Sequence, residues 1–297
     1  MKLVKSVRGL AKKGLILGKR SVCTLKAAAR SCPSQFPYEF SVAAIMRNES
    51  AYVEEWLKYH LLVGVDHFYI YDNGSTDNMP EILAPYVEKG IVTYREFPGV
   101  ARQIPAYNDA IQNYRNESRY IAFIDTDEFL FPVRPDTNVP QTVKEILAQD
   151  PHAGGIAVNW RVFGSSHLEK KPEGGVLKNF VWRAAEDGKG NDCIKSIVDP
   201  RKVAFFNHVH YPLYNLGLYA IDENGKKVPA WSNPTNQITK LRINHYFTKS
   251  KEEWIKRRSQ GRATTGNKSL NRTIEEFYQH DNNDIFDDSA LRYANQL

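Results

Sequence analysis

Cysteine is scarce. Cys23, Cys32 and Cys193 are the only three in 297 residues, odd in number and without metal-ligand spacing. Such a set builds no disulfide framework and suits a reducing compartment, with the thiols structural or incidental. Long apolar runs are also missing: nothing approaches the roughly 18 residues needed to span a bilayer. The patch Leu15 to Leu17 is too short for the apolar region of a signal peptide. No Gly-x-Gly-x-x-Gly follows the first apolar strand, which counts against a dinucleotide cofactor, and the absence of Gly-x-x-x-x-Gly-Lys-Ser excludes a phosphate-loop nucleotidase. Residues 1–38 lack acid altogether while carrying nine Lys or Arg. The remaining chain holds 31 basic against 34 acidic residues, so the net charge of +6 belongs to the N-terminal segment. A basic body for nucleic acid is not supported.

What is present is a chain of 42% hydrophobic and 12% aromatic residues, enough for a substantial soluble core. Leu3, Val4, Val7, Leu10 and Ala11 recur at helical spacing among lysines, as in a helix lying on an anionic membrane surface. Gly9, Gly14 and Gly18 weaken that helix, and a disordered tail or an organellar presequence are the alternatives. Globular structure is expected from about Phe40. Phe40 to Met46 reads as a strand, and Val53, Trp56, Leu57, His60 and Leu61 form one helix face ending at Gly64. Strand His67 to Tyr71, helix Met79 to Glu88, strand Ile91 to Arg95, helix Arg102 to Tyr114 and strand Tyr120 to Ile124 follow. This alternation predicts an α/β fold with a doubly wound, mainly parallel sheet flanked by helices.

The second half is less regular. A helix is expected over Thr142 to Gln149, then strands Gly155 to Phe163, Val176 to Arg183, Ile194 to Val198 and Lys202 to Phe206. Ser250-Lys251-Glu252-Glu253 is a capping box opening a helix through Arg258, and the acidic segment from Asn282 is expected to fray. The chain therefore divides into a basic extension, 1–38, and one domain, 39–297. Within that domain, 39–131 and 132–281 are the two halves and 282–297 an acidic tail.

Polar clusters stand at successive strand ends: Arg47-Asn48-Glu49, Asp72 to Asp77, and Asp125 to Glu128. Open α/β sheets bind ligands at the carboxyl edge, where these clusters should converge. An acid ending the second strand suits ribose hydroxyls or a base N–H. Asp125, Asp127 and Glu128, set between apolar runs, call for a cationic partner. Oxygen ligands of this kind suit Mg²⁺ or Mn²⁺, which can bridge a diphosphate.

The ordered set Arg47-Asn48-Glu49, Glu54 to His60, Gly64-Val65-Asp66-His67, Tyr71 to Asp77 and Phe123 to Phe129 resembles the GT-A glycosyltransferases, in the branch near families 2 and 92 that includes galactan-type galactosyltransferases. The match is looser through Asn159 to Ser166 and Lys195 to Val198. The resemblance implies a nucleotide-sugar donor (a UDP-hexose, galactose first), Mn²⁺ or Mg²⁺, and a glycan or glycolipid acceptor. It makes 39–131 the donor half and 132–281 the acceptor side. It implies that Asp72 contacts uridine, that Asp125 belongs to the metal set by reaching the ribose or the ion's water, and that Asp127, the catalytic acid of the motif, ligates the ion. It places Asn48, Glu49, Asp77, Arg102, Gln103 and Lys195 on the donor. His245 is the expected further ion ligand, with His208 and His210 as rivals, and Lys256, Arg257, Arg258 and Arg262 are candidates to screen the diphosphate. An inverting transfer needs a base; among Glu169, Glu173, Glu186, Asp187 and Asp192, we favour Asp192, just before the Lys195 strand. The expected location is cytoplasmic, peripheral at the membrane face. Two rival readings stay open: a nucleotidyltransferase acting on a sugar phosphate, and a non-catalytic carbohydrate-binding protein of the same fold.

Overall fold

A computed structural model describes residues 2–234, 238–258 and 273–297. In chain order its elements are α1 (Lys2–Ala28), β1 (Tyr38–Met46), α2 (Val53–Leu62), β2 (His67–Asp72), α3 (Met79–Glu88), β3 (Val92–Glu96), α4 (Gln103–Asn113), β4 (Ser118–Phe123), β5 (Glu128–Pro132), α5 (Val139–Leu147) and β6 (Ala153–Val162). There follow α6 (Val176–Asn179), β7 (Trp182–Arg183), β8 (Ile194–Val198), β9 (Val203–Phe206), β10 (Pro212–Tyr214), β11 (Tyr219–Ile221), β12 (Lys227–Val228), β13 (Leu241–His245), α7 (Lys251–Arg258), α8 (Ile274–His280), β14 (Ile285–Phe286) and α9 (Leu291–Ala294).

Among the described residues the main sheet runs β12-β11-β6-β8-β4-β1-β2-β3, with β13 joined to β6 and to β5. The first-half strands β3, β2, β1 and β4 are mutually parallel, as the alternating pattern predicts. The direction then reverses: β8 runs antiparallel to both β4 and β6. The sheet is thus mixed, mainly parallel, and strands of the second half complete the sheet begun by the first.

β1 is buried on both faces because its alternate residues serve different layers. Phe40, Val42, Ala44 and Met46 meet Trp56 and Leu57 of α2, Met79 and Leu83 of α3, and Val143 and Ile146 of α5. Ala43 and Ile45 face Ala106, Tyr107 and Ala110 of α4, with Phe206 of β9. Complete burial of side chains such as Leu57 or Phe123 contributes about 1.5–3 kcal/mol each. Gly64, at φ +101°, lets the chain leave α2 where a Cβ would stand 2.9 Å from Pro140 Cδ. His60 ties α2 to β5: its Nδ1 pairs with the Trp56 carbonyl at 2.8 Å and its Nε2 accepts from the Leu130 N–H at 3.2 Å. That tautomer is neutral, and burial pushes its pKa down to about 3.

Two expectations need revision. Val176 to Arg183 is a short helix followed by a short strand, because the Glu55 carboxylate accepts the Val176 and Leu177 N–H groups and starts a helical turn. The segment from Asn282 does not fray. β14 pairs with β7, and Asp287 binds both Arg183 and Arg242, at 2.7 and 2.9 Å. Residues 2–28 form one helix despite three glycines. α1 is docked on the domain by Arg20 Nε donating to the Tyr214 carbonyl at 2.6 Å, and by Lys19 Nζ 4.2 Å from the Phe205 ring centroid. Outside that contact, Leu15 and Leu25 are 76% and 72% exposed. Among the described residues, no helix is long and apolar enough to cross a membrane.

Candidate active site

Asp125 to Glu128 is the tight turn between β4 and β5. The Glu128 N–H donates to the Asp125 carbonyl at 3.1 Å, while the Glu128 carboxylate accepts from the Asp125 N–H at 2.8 Å. Each acid meets its own environment. Asp125 keeps some solvent contact; its Oδ2 lies 2.8 Å from Lys195 Nζ, and its Oδ1 accepts from Gln103 Nε2 at 2.7 Å and Tyr107 at 3.3 Å. Glu128 is fully buried, 3.5 Å from the same Lys195 Nζ, and its Oε1 finds no hydrogen-bond partner among the described residues. Burial, with Asp125 and Asp127 close by, holds the Glu128 carboxyl well above the ordinary range despite Lys195. Lys195 stays charged: burial opposes its charge, but Asp125 and Glu128 raise its pKa. One ammonium serves two carboxylates, and the more exposed one takes the stronger contact.

Asp127 is buried on the other side of the turn. Arg257 donates to its Oδ2 at 3.1 Å, and His245 Nε2 stands 3.6 Å from its Oδ1. Burial alone would raise its pKa, but Arg257, His245 and Lys249 hold it well below the carboxylate range. β13 fixes His245 by pairing it with Glu128 on β5 and Val162 on β6. α7 fixes Arg257, and the predicted capping box opens that helix. Ser250 Oγ donates to Glu253 Oε2 at 2.6 Å, the Ser250 N–H donates to the same oxygen at 3.2 Å, and the Glu253 N–H donates back to Ser250 Oγ at 3.4 Å. Lys249, at φ +52°, is buried beside them, its Nζ 4.0 Å from the Tyr52 ring centroid. Burial lowers the Lys249 pKa against the pull of Glu49, Asp127 and Glu253.

The three strand-end clusters do converge. The Asn48 N–H donates to Ser75 Oγ, and its side-chain carbonyl accepts from the Thr76 N–H at 2.7 Å. Asp77 accepts from the Ser50 and Met79 N–H groups. Asp72 is committed too: Oδ1 accepts from Ser75 N–H and Oγ at 2.8 and 2.7 Å, and Oδ2 from the Tyr94 hydroxyl at 2.5 Å. Asp72 and Asp77 therefore shape the loops at the strand ends. The Glu49 charge acts on Arg257 and Lys249, as does that of Asp127, linking the first cluster to the third.

A family model for glycosyltransferase family 92 matches residues 37–280. The chain belongs to glycosyltransferase family 92. A family 92 protein of Ricinus communis is 27% identical over 178 residues, covering 59% of this chain and 31% of the relative. A galactan beta-1,4-galactosyltransferase of Arabidopsis thaliana is 30% identical over 89 residues, 27% of this chain and 17% of the relative. The chain spans about a third or less of the length of these curated relatives. Among solved structures, S. aureus TarS 1-349 in complex with UDP aligns at TM-score 0.35 and 13% identity, covering 62% of this chain and 60% of that one.

Other expected residues of this family 92 chain fall less centrally. Arg102 lies over the Phe97 ring at 3.9 Å, with its Nε unpartnered among the described residues. The exposed Asp192 carboxylate accepts from Ser232 at 2.8 Å rather than joining the acid turn. His210 Nδ1 pairs with the Ile194 carbonyl at 2.9 Å, and burial together with the Lys195 charge pushes its pKa down to about 3. The Arg258 side chain and Arg262 lie outside the described residues. Sequence reasoning missed Tyr107, Trp160 and Lys249. Trp160 packs 4.1 Å from the His245 ring, its Nε1 without a partner among the described residues; only its place beside Asn159 in a looser motif hinted at it.

Proposed function

We propose that this chain transfers a hexose, galactose first, from a UDP-sugar to a glycan or glycolipid acceptor, with inversion. The observation that carries the reading is the buried Asp127 facing His245 at 3.6 Å beside Arg257, at the carboxyl edge of the sheet in a family 92 chain. The galactose choice leans on the galactosyltransferase relatives. Among the described residues no three His, Cys, Asp or Glu side chains form a complete ion cage. Two protein ligands suffice for Mg²⁺ or Mn²⁺ when phosphates and water complete the shell. Asp127 and His245 fit that role, and His245 Nδ1, without a hydrogen-bond partner among the described residues, leaves the ring free to take the required tautomer. Asp125, held by Lys195 and Gln103, acts instead on the donor side. When bound, the ion supplies Lewis-acid neutralisation of the departing diphosphate. Arg257, set on α7, and the buried Lys249 just before that helix add positive charge on that side. Lys195 keeps the acid turn in register.

The test is UDP release with Mn²⁺ across a panel of UDP-sugars. Turnover of one sugar nucleotide, lost in Asp127→Ala, supports the reading. Silence across the panel, or an active Asp127→Ala protein, removes it.

We also propose that α1 rests on an anionic membrane surface. The support is its outward apolar residues, Leu15, Val22 and Leu25, together with the exposed Lys12 and Lys26.

A further inference from the structure

Trp231 is 45% exposed, yet its segment is firmly anchored. Its carbonyl accepts from the Ile194 N–H at 3.2 Å and the next residue bridges Cys193; Asn159 Nδ2 donates to the Asn233 backbone carbonyl at 2.7 Å, and Asn233 Nδ2 donates to Asn159 Oδ1 at 3.0 Å. A large apolar ring held in water on a fixed frame, with polar neighbours, is a site that expects a partner. The ring is also the outer end of an aromatic wall. It stacks on His208 at 6.1 Å and 22°; His208 lies 5.3 Å from His210, His210 5.2 Å from Trp160, and Trp160 4.1 Å from His245. His245 stands 3.6 Å from Asp127, and His210 Nδ1 pairs with the carbonyl of Ile194, next to Lys195, so the wall borders the acid turn. Next to Trp231 in the chain, Ser232 donates its hydroxyl to the exposed Asp192 carboxylate at 2.8 Å. At its inner end Trp160 Nε1 is a donor without an acceptor among the described residues.

We propose that Trp231 is the stacking platform of an acceptor subsite that takes a pyranose ring of a glycan chain. The C–H face of a pyranose lies flat on the indole, while its ring-edge hydroxyls reach the Asp192 carboxylate. A sugar polymer seated there points along the wall toward His245 and Asp127. The polar rim and the single exposed ring fit a carbohydrate better than a protein interface, which would need a broader apolar centre. Asp192, its exposed carboxylate bonded to Ser232, is then an acceptor-binding group. The inference rests on the transfer reading only for its direction; a glycan platform stands without catalysis.

The test is calorimetric binding of β-linked galactotetraose and of cellotetraose to the full UDP-loaded chain, in wild type, Trp231→Ala and Trp231→Phe. The expected result is tetrasaccharide binding weakened about tenfold in Trp231→Ala and largely kept in Trp231→Phe, with UDP affinity unchanged in both. Equal binding by Trp231→Ala, or no binding of either tetrasaccharide by wild type, overturns the proposal. Trp231-dependent binding in a protein that turns over no UDP-sugar keeps the platform and discards the transfer reading. Turnover with Trp231-independent binding does the reverse.

Discussion

Replacing Lys195 by Met removes a buried positive charge from between two carboxylates while roughly keeping volume, so cavity terms stay small. Lys195 Nζ lies 2.8 Å from Asp125 and 3.5 Å from Glu128, and both Lys195 and Glu128 are shut off from solvent. Removing one member of such a buried pair costs about 3–5 kcal/mol. Asp125 is part exposed and can turn to water; among the described residues Glu128 would keep only the Asp125 N–H. Its relief is a proton. The Glu128 pKa is already raised by burial and the neighbouring acids, so the folded state binds a proton that the unfolded chain has released. Stability therefore falls as pH rises from the unfolded pKa through the folded one. In Lys195→Met that window widens, so the loss should be largest at about pH 8 and smaller at about pH 5. Urea unfolding at both pH values measures it. Adding Glu128→Gln neutralises the stranded group, and the double variant should recover about 2 kcal/mol of the single variant's loss. A loss below about 1 kcal/mol at the higher pH, the scale of an exposed pair, would refute the buried-clamp argument. So would a double variant no more stable than the single one.

Two further outcomes are expected. Burial would raise the Asp287 pKa, but Arg242, Ser289 and Arg183 pull it down to about 2. Its contribution, on the order of 2 kcal/mol, is present above the unfolded value near 4 and lost as pH falls toward 2. Asp287→Asn should lower stability at neutral pH and flatten the acid limb of the unfolding curve; an Asn variant as stable as wild type at neutral pH removes the clamp. The double variant Leu15→Asp with Leu25→Asp should release the protein from anionic vesicles in a flotation assay while leaving UDP release unchanged. Retained flotation would discard α1 as the contact.

The first ninety residues of the domain were legible because their signals are local. Apolar runs of strand length, the Trp56–His60 face and the turn after Asp72 each act within a few residues, and together they dictate parallel strands with polar ends on one edge. The Ser250–Glu253 capping box was legible for the same reason. Local propensity failed where a distant carboxylate intervened: Val176 to Arg183 has the residues of a strand, but Glu55, more than a hundred positions earlier, caps its first amides. The reversal at β8 was equally invisible, because strand direction depends on where a chain re-enters the sheet rather than on its own composition.

By itself the sequence determined the sheet's first half, the acid turn at its carboxyl edge, and the placement of excess positive charge in residues 1–38. Only the tertiary structure decided which cation meets which acid. Lys195 reaches Asp125 across 70 positions and Arg257 reaches Asp127 across 130. Nothing near Asp72 in sequence shows that Tyr94 closes its carboxylate, and nothing near Trp231 shows that it ends a wall beginning at His245. A carboxylate's role follows from burial and from the charges around it, and both are set by which strands and helices fold together.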